Sequence, residues 1–407
     1  VSSDAGVRWE STGDGGYSTE TIARPQRGTS VTLHLKDDAT EFADTWRLRS
    51  LVKKYSDYVA YPILLPKPPA PKDDKDDDKD EEPAEQGEEL EQVNSGQALW
   101  TRPKSEITDE QYKEFYQAAC HQRDDPATRI HVKVEGPLEF TLLLFIPSQK
   151  PMDLFDRGKR GLTLYVKRVF IMDDCDELLP EYLRFVRGVV DSDDLPLNVS
   201  REILQDNAVV RKLRQQVTRR VLDHLGKLAT SDDADERALF ARIEDQFGPV
   251  WREGLVNDFE FKDQITGLLR YRSTWTEEQE RGEDEPPVKT SLADYVARMP
   301  EGQDKIYYVT AASLAAAKAS PHLEGFVKRG YEVLYLVDPV DEWVAPHLGE
   351  FEGKQLASVA KGAAELGEDE ESKKELEGKQ ETYRDFLGFC QESLGDGVKE
   401  VRLTARL

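Results

Sequence analysis

The spacing of hydrophobic residues changes along the chain. Alternating apolar residues at positions 31, 33 and 35 predict a strand, and apolar residues at roughly helical spacing from Phe42 to Tyr55 predict a helix. Further strands are predicted at 130–134, 138–145, 162–170, 305–309 and 332–336. The clearest helix is predicted at 200–228, where one apolar stripe contains Val209, Leu213, Val217, Val221, Leu225 and Leu228. Strands that alternate with helices predict an α/β region between residues 93 and 345.

Residues 66–92 contain almost no apolar side chains. They include 12 acidic residues and 4 lysines, a composition that buries too little surface to offset the entropy lost on ordering. A disordered acidic linker is therefore predicted, preceded by the tail of one domain. The chain begins with Val1 rather than Met and ends at Leu407 directly after a strand-like run, so we expect both ends to be cuts in a longer chain.

The composition limits the classes of partner. A formal charge of −25 repels phosphate backbones, so no nucleic-acid partner is expected. Cys120, Cys175 and Cys390 are widely spaced and the six histidines lack zinc-ligand spacing, so no metal site or disulfide framework is predicted. No apolar run approaches the roughly 20 residues of a membrane span. These features favour a cytoplasmic protein without a membrane partner.

The segment DSDDLPLNVSREILQDN, at 191–207, is similar to the catalytic loop of heat-shock protein 90 chaperones. The resemblance covers nearly the whole chain outside the linker and the acidic loops, as in RGTSVTLHLKDD (27–38), ALWTRPKSEITDEQYKEFY (98–116) and VKEVRLTARL (398–407). The segments LPLNVSREILQD and SPHLE (320–324) are more similar to the bacterial HtpG branch than to the eukaryotic cytosolic one. The long acidic linker departs from the usually short bacterial connection.

The resemblance implies a multidomain α/β (α+β) protein. Residues 1–65 would be the C-terminal remnant of an ATP-binding domain of the GHKL type, followed by the linker at 66–92. Residues 93–275 would form the large α/β part of the middle domain, which resembles domain 2 of ribosomal protein S5 and carries the catalytic loop. Residues 276–362 would form its smaller α/β part, and 363–407 would begin the α+β C-terminal dimerisation domain.

The resemblance also implies an activity and partners. Members of the family are homodimeric, ATP-driven chaperones that bind unfolded or partly folded client proteins. ATP, with Mg²⁺, would be bound mainly by the missing N-terminal domain, which carries the general-base glutamate, the adenine-binding aspartate and the glycine-rich lid. We therefore expect ATP hydrolysis in the full-length parent and none in the isolated chain.

Arg201 is the candidate catalytic residue. By the resemblance it contacts the γ-phosphate of ATP, where a guanidinium offers fixed donors to the charge that develops during phosphoryl transfer. An arginine in a first helical turn opposes the helix dipole, which favours this role over a simple ion pair with Asp193 or Asp194. Gln205 is a second candidate, although an amide can equally satisfy local backbone groups. Thr29 would lie at the floor of the adenine pocket, where strand propensity alone would also explain it.

Met152, Leu154 and Phe155 form a short apolar group in a charged loop. Such a group either binds client proteins as an exposed patch or folds back on the core. Trp100 and Trp343 are predicted to be core or domain-junction residues rather than binding sites.

Two other function classes are compatible with parts of the sequence. A GHKL-type ATPase of DNA repair or topology also couples an ATP-binding domain to a second domain, but usually through a lysine, and the acidic charge disfavours DNA. A non-catalytic protein-binding module would fit the isolated chain, because the glutamate that activates water is not in it.

Overall fold

The computed structural model describes residues 5–67, 89–151, 154, 161–197, 207–277, 288–362, 382–394 and 401. The chain divides into two compact units, one formed by Val1–Lys54 with Ile63–Val93 and the other by Tyr55–Pro62 with Asn94–Leu407. Among the helices in the described ranges, none is both long enough and apolar enough to cross a membrane.

The first unit contains two small antiparallel sheets. Strand β1 (Ala5–Glu10) pairs with β2 (Ser18–Ala23), and β3 (Leu64–Pro66) pairs with β4 (Leu90–Gln92). Helix α1 (Thr45–Tyr55) begins in this unit and confirms the helix predicted from the spacing of its apolar residues.

The strand predicted at residues 31–35 is wrong. Val31 and Leu33 are 79% and 76% exposed, and they lie in a segment without regular secondary structure. A strand needs a neighbour for its backbone hydrogen bonds and a surface that covers one of its faces. No strand in the described part of the chain pairs with this segment, so alternation alone does not produce a strand here.

The two ends of the predicted linker are ordered. The backbone N–H of Lys67 donates to the carbonyl of Glu89 at 2.9 Å and thereby extends the pairing of β3 with β4. The prediction of disorder throughout residues 66–92 is therefore wrong at these paired ends. Its remaining part, residues 68–88, lies outside the described residues.

The second unit contains a five-stranded mixed sheet. Its strands are β5 (Pro126–Val134), β6 (Phe140–Pro147), β7 (Leu162–Val166), β8 (Val169–Cys175) and β9 (Arg187–Ser192). Their order is β5-β6-β9-β7-β8, with β9 central, antiparallel to β6 and parallel to β7. The single strand predicted at 162–170 is a hairpin, because Lys167 and Arg168 have positive φ values of 51° and 67°, the backbone of a tight two-residue turn.

Both faces of this sheet are covered by helices. Along β6, Leu142 and Leu144 belong to one apolar cluster, and Leu143 and Phe145 belong to another. Helix α2 (Asp109–Ala119) packs in the second cluster, and the first cluster includes residues of α3 (Ala208–Ala229), α4 (Ala234–Arg252), α5 (Gly254–Asn257) and α6 (Lys262–Gly267). The apolar stripe predicted along α3 is buried from Leu213 onward, which confirms that helix from residue 208.

A second mixed sheet follows in the same unit. Its strands are β10 (Arg272–Ser273), β11 (Lys305–Thr310), β12 (Val333–Leu336), β13 (Glu350–Phe351) and β14 (Lys354–Ser358), in the order β10-β12-β11-β14-β13. The helices around it are α7 (Thr274–Glu277), α8 (Leu292–Arg298), α9 (Leu314–Lys318), α10 (Glu324–Val327), α11 (Asp341–Leu348) and α12 (Val359–Gly362). Helix α13 (Arg384–Leu394) lies further along the chain. The predicted mixed α/β class is confirmed.

The second sheet begins earlier than the predicted boundary at residue 276. Arg272 and Ser273 form its first strand and pair with Tyr335 and Leu334 of β12. Residues of the second sheet, such as Leu334, also belong to the apolar cluster that fills one face of the first sheet. The two sheets are therefore joined by a shared core.

Candidate functional site

The entrance to the predicted catalytic loop is held by the central strand of the first sheet. β9 ends at Ser192, and the next residue, Asp193, donates its backbone N–H to the carbonyl of Glu139 at 3.0 Å. The carboxylate of Asp194 accepts the backbone N–H of Glu139 at 2.6 Å. Leu195 then inserts into the core and is 2% exposed. The chain thus enters the loop from a fixed position.

The exit of the loop is held by a helix cap. The side chain of Asn207 accepts the backbone N–H of Val209 at 2.8 Å, which satisfies one of the free donors in the first turn of α3. Arg201 and Gln205, the predicted catalytic residues, lie outside the described residues, which end at 197 and resume at 207. The structure therefore describes the frame of the loop at both of its ends.

A buried carboxylate lies at the end of β9. Asp191 is 7% exposed, and its Oδ2 accepts the indole N–H of Trp100 at 2.8 Å. Its Oδ1 accepts the backbone N–H of Arg168 at 3.1 Å. Burial raises the pKa of this carboxyl, and the two hydrogen bonds act in the opposite direction because they stabilise the charged form.

Trp100 is also fixed through its backbone. His131 Nε2 lies 2.8 Å from the carbonyl oxygen of Trp100, and a carbonyl can only accept, so this nitrogen carries the proton. His131 Nδ1 then accepts the hydroxyl of Tyr112 at 2.7 Å. Burial lowers the pKa of His131, because a site shielded from water disfavours the charged imidazolium. A single tautomer therefore connects strand β5, helix α2 and the backbone of Trp100.

The remaining predicted site residues are spread over the two units. Thr29 lies exposed in a segment of the first unit that has no regular secondary structure. Leu154, a candidate client-binding residue, is 1% exposed and belongs to the main apolar cluster, so of the two alternatives it takes the core position. Burial of this apolar side chain in the core has a lower free energy than its exposure to water in a charged loop. Met152 and Phe155 lie outside the described residues.

Trp343 is a surface residue, and its prediction as a core or junction residue is wrong. Predicted as a core or junction residue, it is 68% exposed on α11, whereas Trp100 is 1% exposed as predicted. The residues that α11 buries are Asp341, Val344, Ala345 and Leu348. Their i, i+3, i+4, i+7 spacing is legible in the sequence and leaves Trp343 outside the buried stripe. Within the described ranges, no group of three or more His, Cys, Asp or Glu side chains is placed to hold a metal ion.

The sequence matches known proteins over almost its full length. A family model described as "Hsp90 protein" matches residues 67–407. Proteins named "Chaperone protein HtpG" are similar to the chain: that of Aromatoleum aromaticum is 52% identical over 99% of the chain, that of Nitrosospira multiformis 48% over 99%, and that of Escherichia coli O139:H28 49% over 99%. The chain spans 61% of the length of each of these three relatives. The chain therefore belongs to the Hsp90 family, in which it is similar to the bacterial HtpG proteins.

Proposed function

We propose that the chain is part of an ATP-dependent molecular chaperone that binds and remodels unfolded or partly folded client proteins. The observation that carries this proposal is the family match over residues 67–407, together with 52% identity to a chaperone over 99% of the chain. The complete protein would be a cytoplasmic homodimer that hydrolyses ATP with Mg²⁺. By itself the 407-residue chain would not hydrolyse ATP, because the resemblance assigns the general-base glutamate of the family to a segment other than those matched by these residues.

The finer division of the fold belongs to the same proposal. Residues 1–65 would be the remnant of the GHKL ATP-binding domain, and 93–275 and 276–362 would be the large and small parts of the middle domain. Residues 363–407 would begin the dimerisation domain. Thr29 would contribute to the adenine pocket only when the rest of the ATP-binding domain surrounds it.

Arg201 would supply charge to the γ-phosphate. Its guanidinium is planar and always protonated, so it offers fixed donors to oxygens that gain negative charge during phosphoryl transfer. The residues that flank the loop support this role, because Asp193 and Asp194 fix the chain before it and Asn207 caps the helix after it. A loop held at both ends limits the positions that a side chain within it can reach, which is what a positioned catalytic group requires. Gln205 would help to orient the same loop.

A client-binding surface would include Met152, Phe155 and Trp343. Trp343 stands on the exposed face of α11, where a large apolar side chain contacts solvent. When an unfolded segment covers exposed apolar groups of this kind, apolar surface is removed from water, which favours binding. Leu154 is excluded from the surface by its burial and would instead anchor the loop that carries Met152 and Phe155.

The test of the catalytic proposal is Arg201→Ala in the complete protein. We expect kcat for ATP hydrolysis to fall by about 10³-fold or more, as for other arginines that contact a transferred phosphoryl group. KM for ATP should change little, because the nucleotide is bound mainly by the other domain. Arg201→Lys should recover only part of the loss, since an ammonium cannot present the planar fork of donors.

Lys212→Ala is the matched control. Lys212 is an exposed cation in the first turns of α3, close to the loop in sequence, and its removal should leave kcat near the wild-type value. A loss confined to kcat in the Arg201 variant separates a transition-state role from a structural one. Wild-type turnover in Arg201→Ala, or a markedly lower unfolding temperature, would show that Arg201 does not have this role.

A further inference from the structure

Residues 55–62 are fixed within the second unit although they lie, in sequence, between the two parts of the first. The carboxylate of Asp57 accepts the backbone N–H of Ser95 at 2.9 Å and its hydroxyl at 3.0 Å. The side-chain amide of Asn94 donates to the carbonyls of Val59 and Tyr61, at 2.8 and 3.0 Å. The segment is therefore held by specific hydrogen bonds on both sides of Tyr58.

Tyr58 packs on the indole of Trp100. The two ring centroids are 4.8 Å apart at an angle of 69°, the edge-to-face arrangement that aromatic pairs prefer. Tyr165 of β7 closes the group, with its centroid 4.7 Å from that of Trp100 and 5.8 Å from that of Tyr58. Three rings that contact one another in pairs leave little freedom for one to move without displacing the others.

The indole of Trp100 contacts Tyr58 and Tyr165 through its ring and Asp191 through its N–H. Asp191 precedes Ser192 and Asp193, the residues from which the predicted catalytic loop departs. Trp100 itself is 1% exposed and held by His131, so it cannot move as an isolated side chain. The structure thus contains an unbroken series of contacts from residues 55–62 to the entrance of the loop.

We propose that Trp100 is a positioning residue that couples residues 55–62 to the catalytic loop through Asp191. This inference rests on the proposed function, because it assigns the coupling to the loop that carries Arg201. A shift of Tyr58 would displace the indole and move its N–H away from the carboxylate of Asp191, which is only 7% exposed, so that solvent would replace this hydrogen bond poorly. The orientation of the strand end at Asp191, from which the chain continues toward the loop, depends on this contact.

The first test is Trp100→Phe in the complete protein. Phenylalanine keeps an aromatic ring against Tyr58 and Tyr165 but has no N–H for Asp191. We expect kcat for ATP hydrolysis to fall about three- to tenfold, the usual size of a coupling contribution, with KM for ATP unchanged. Tyr116→Phe is the matched control, because Tyr116 is fully buried in the same cluster and its hydroxyl has no hydrogen-bond partner among the described residues. It should leave kcat unchanged.

The second test is a double-mutant cycle between Tyr58→Leu and Trp100→Phe, read on kcat. Tyr58 is only partly buried, so its replacement leaves the core intact and gives a variant that folds even if Trp100→Phe is poorly stable. If the two residues act through one series of contacts, the second substitution should add little to the first. Full multiplication of the two effects, or wild-type kcat in both single variants, overturns the coupling. Wild-type kcat in Arg201→Ala would instead overturn the proposed function, so the two failures are distinguishable.

Discussion

The guanidinium of Arg252, at the end of α4, lies 3.1 Å from the carboxylate of Asp341, at the start of α11, and the two side chains are 3% and 1% exposed. Arg252 also binds Glu244 at 3.0 Å and Asp338 at 2.7 Å, and its guanidinium lies over the ring of Tyr271. These contacts join a helix that covers the first sheet to the segment that follows β12 in the second. A buried cation therefore holds the junction between the two sheets.

Replacing Arg252 by Met should destabilise the second unit. The apolar side chain fills much of the same volume but leaves buried carboxylates without their cation, and breaking a buried pair in this way costs about 3–5 kcal/mol. Chemical denaturation followed by circular dichroism measures the loss. Lys133→Met is the control, because Lys133 pairs with Glu135 on the surface, where a pair contributes little. Equal unfolding midpoints for the Arg252 variant and the wild type would contradict a structural role for this network.

Gly188→Ala should disturb the central strand. Gly188 has a φ of 130°, and a Cβ on it would overlap the carbonyl oxygen of Leu143 on β6. Relief of the overlap requires the strands to separate, so we expect a loss of stability of about 1–3 kcal/mol or more. Gly226→Ala in α3 is the opposite case, because its Cβ would meet no atom within 4 Å. It should stabilise the protein by about 0.5–1 kcal/mol. Thermal unfolding of both variants checks whether the first substitution lowers stability and the second raises it.

The stability of the second unit should depend on pH through His131. Burial lowers the pKa of its imidazole below the ordinary 6.5, so the unfolded chain takes up a proton at a pH where the folded chain resists it. The contribution of His131 is therefore fully present above about pH 6.5 and is lost as the pH falls toward the folded pKa.

His131→Gln isolates this effect. Glutamine can still donate to the carbonyl of Trp100 and accept from Tyr112, but it does not titrate. Denaturation between about pH 7.5 and about pH 5.5 should show a smaller loss of stability for the variant than for the wild type. Parallel profiles of stability against pH for the two proteins would exclude His131 as the source of the loss of stability at low pH.

Residues 68–88 should be dispensable for folding. The strands on either side of them pair as far as Lys67 and Glu89, so an Asn-Gly turn can close the hairpin in their place. We expect the thermal unfolding midpoint of the shortened chain to match that of the wild type, because so acidic a segment has little apolar surface to bury. A midpoint lowered by several degrees would mean that the segment packs on a domain.

The sequence by itself determined the elements whose signal is local and repeated. The apolar stripe of α3 and the strands at 130–134 and 305–309 were predicted because apolar residues recur at a fixed spacing, once per helical turn or at every second strand residue. The family could be recognised for the same reason, because a long ungapped motif such as residues 191–207 is contiguous in the sequence. The start of α3 was not predicted, because the helix expected from residue 200 begins at Ala208, with Asn207 as its cap.

The tertiary structure decided which faces are covered and which distant residues meet. Residues 31–35 alternate correctly but pair with none of the described strands, and Trp343 stands in a helix whose other face is buried. Trp100 and Asp191 are 91 positions apart and Arg252 and Asp341 are 89 apart, yet each pair forms a buried hydrogen bond. No periodicity encodes such contacts, since they depend on how the sheets and helices pack around a common core. Hydrophobic patterning selects the faces to be buried, and only the packing of those faces brings the polar partners together.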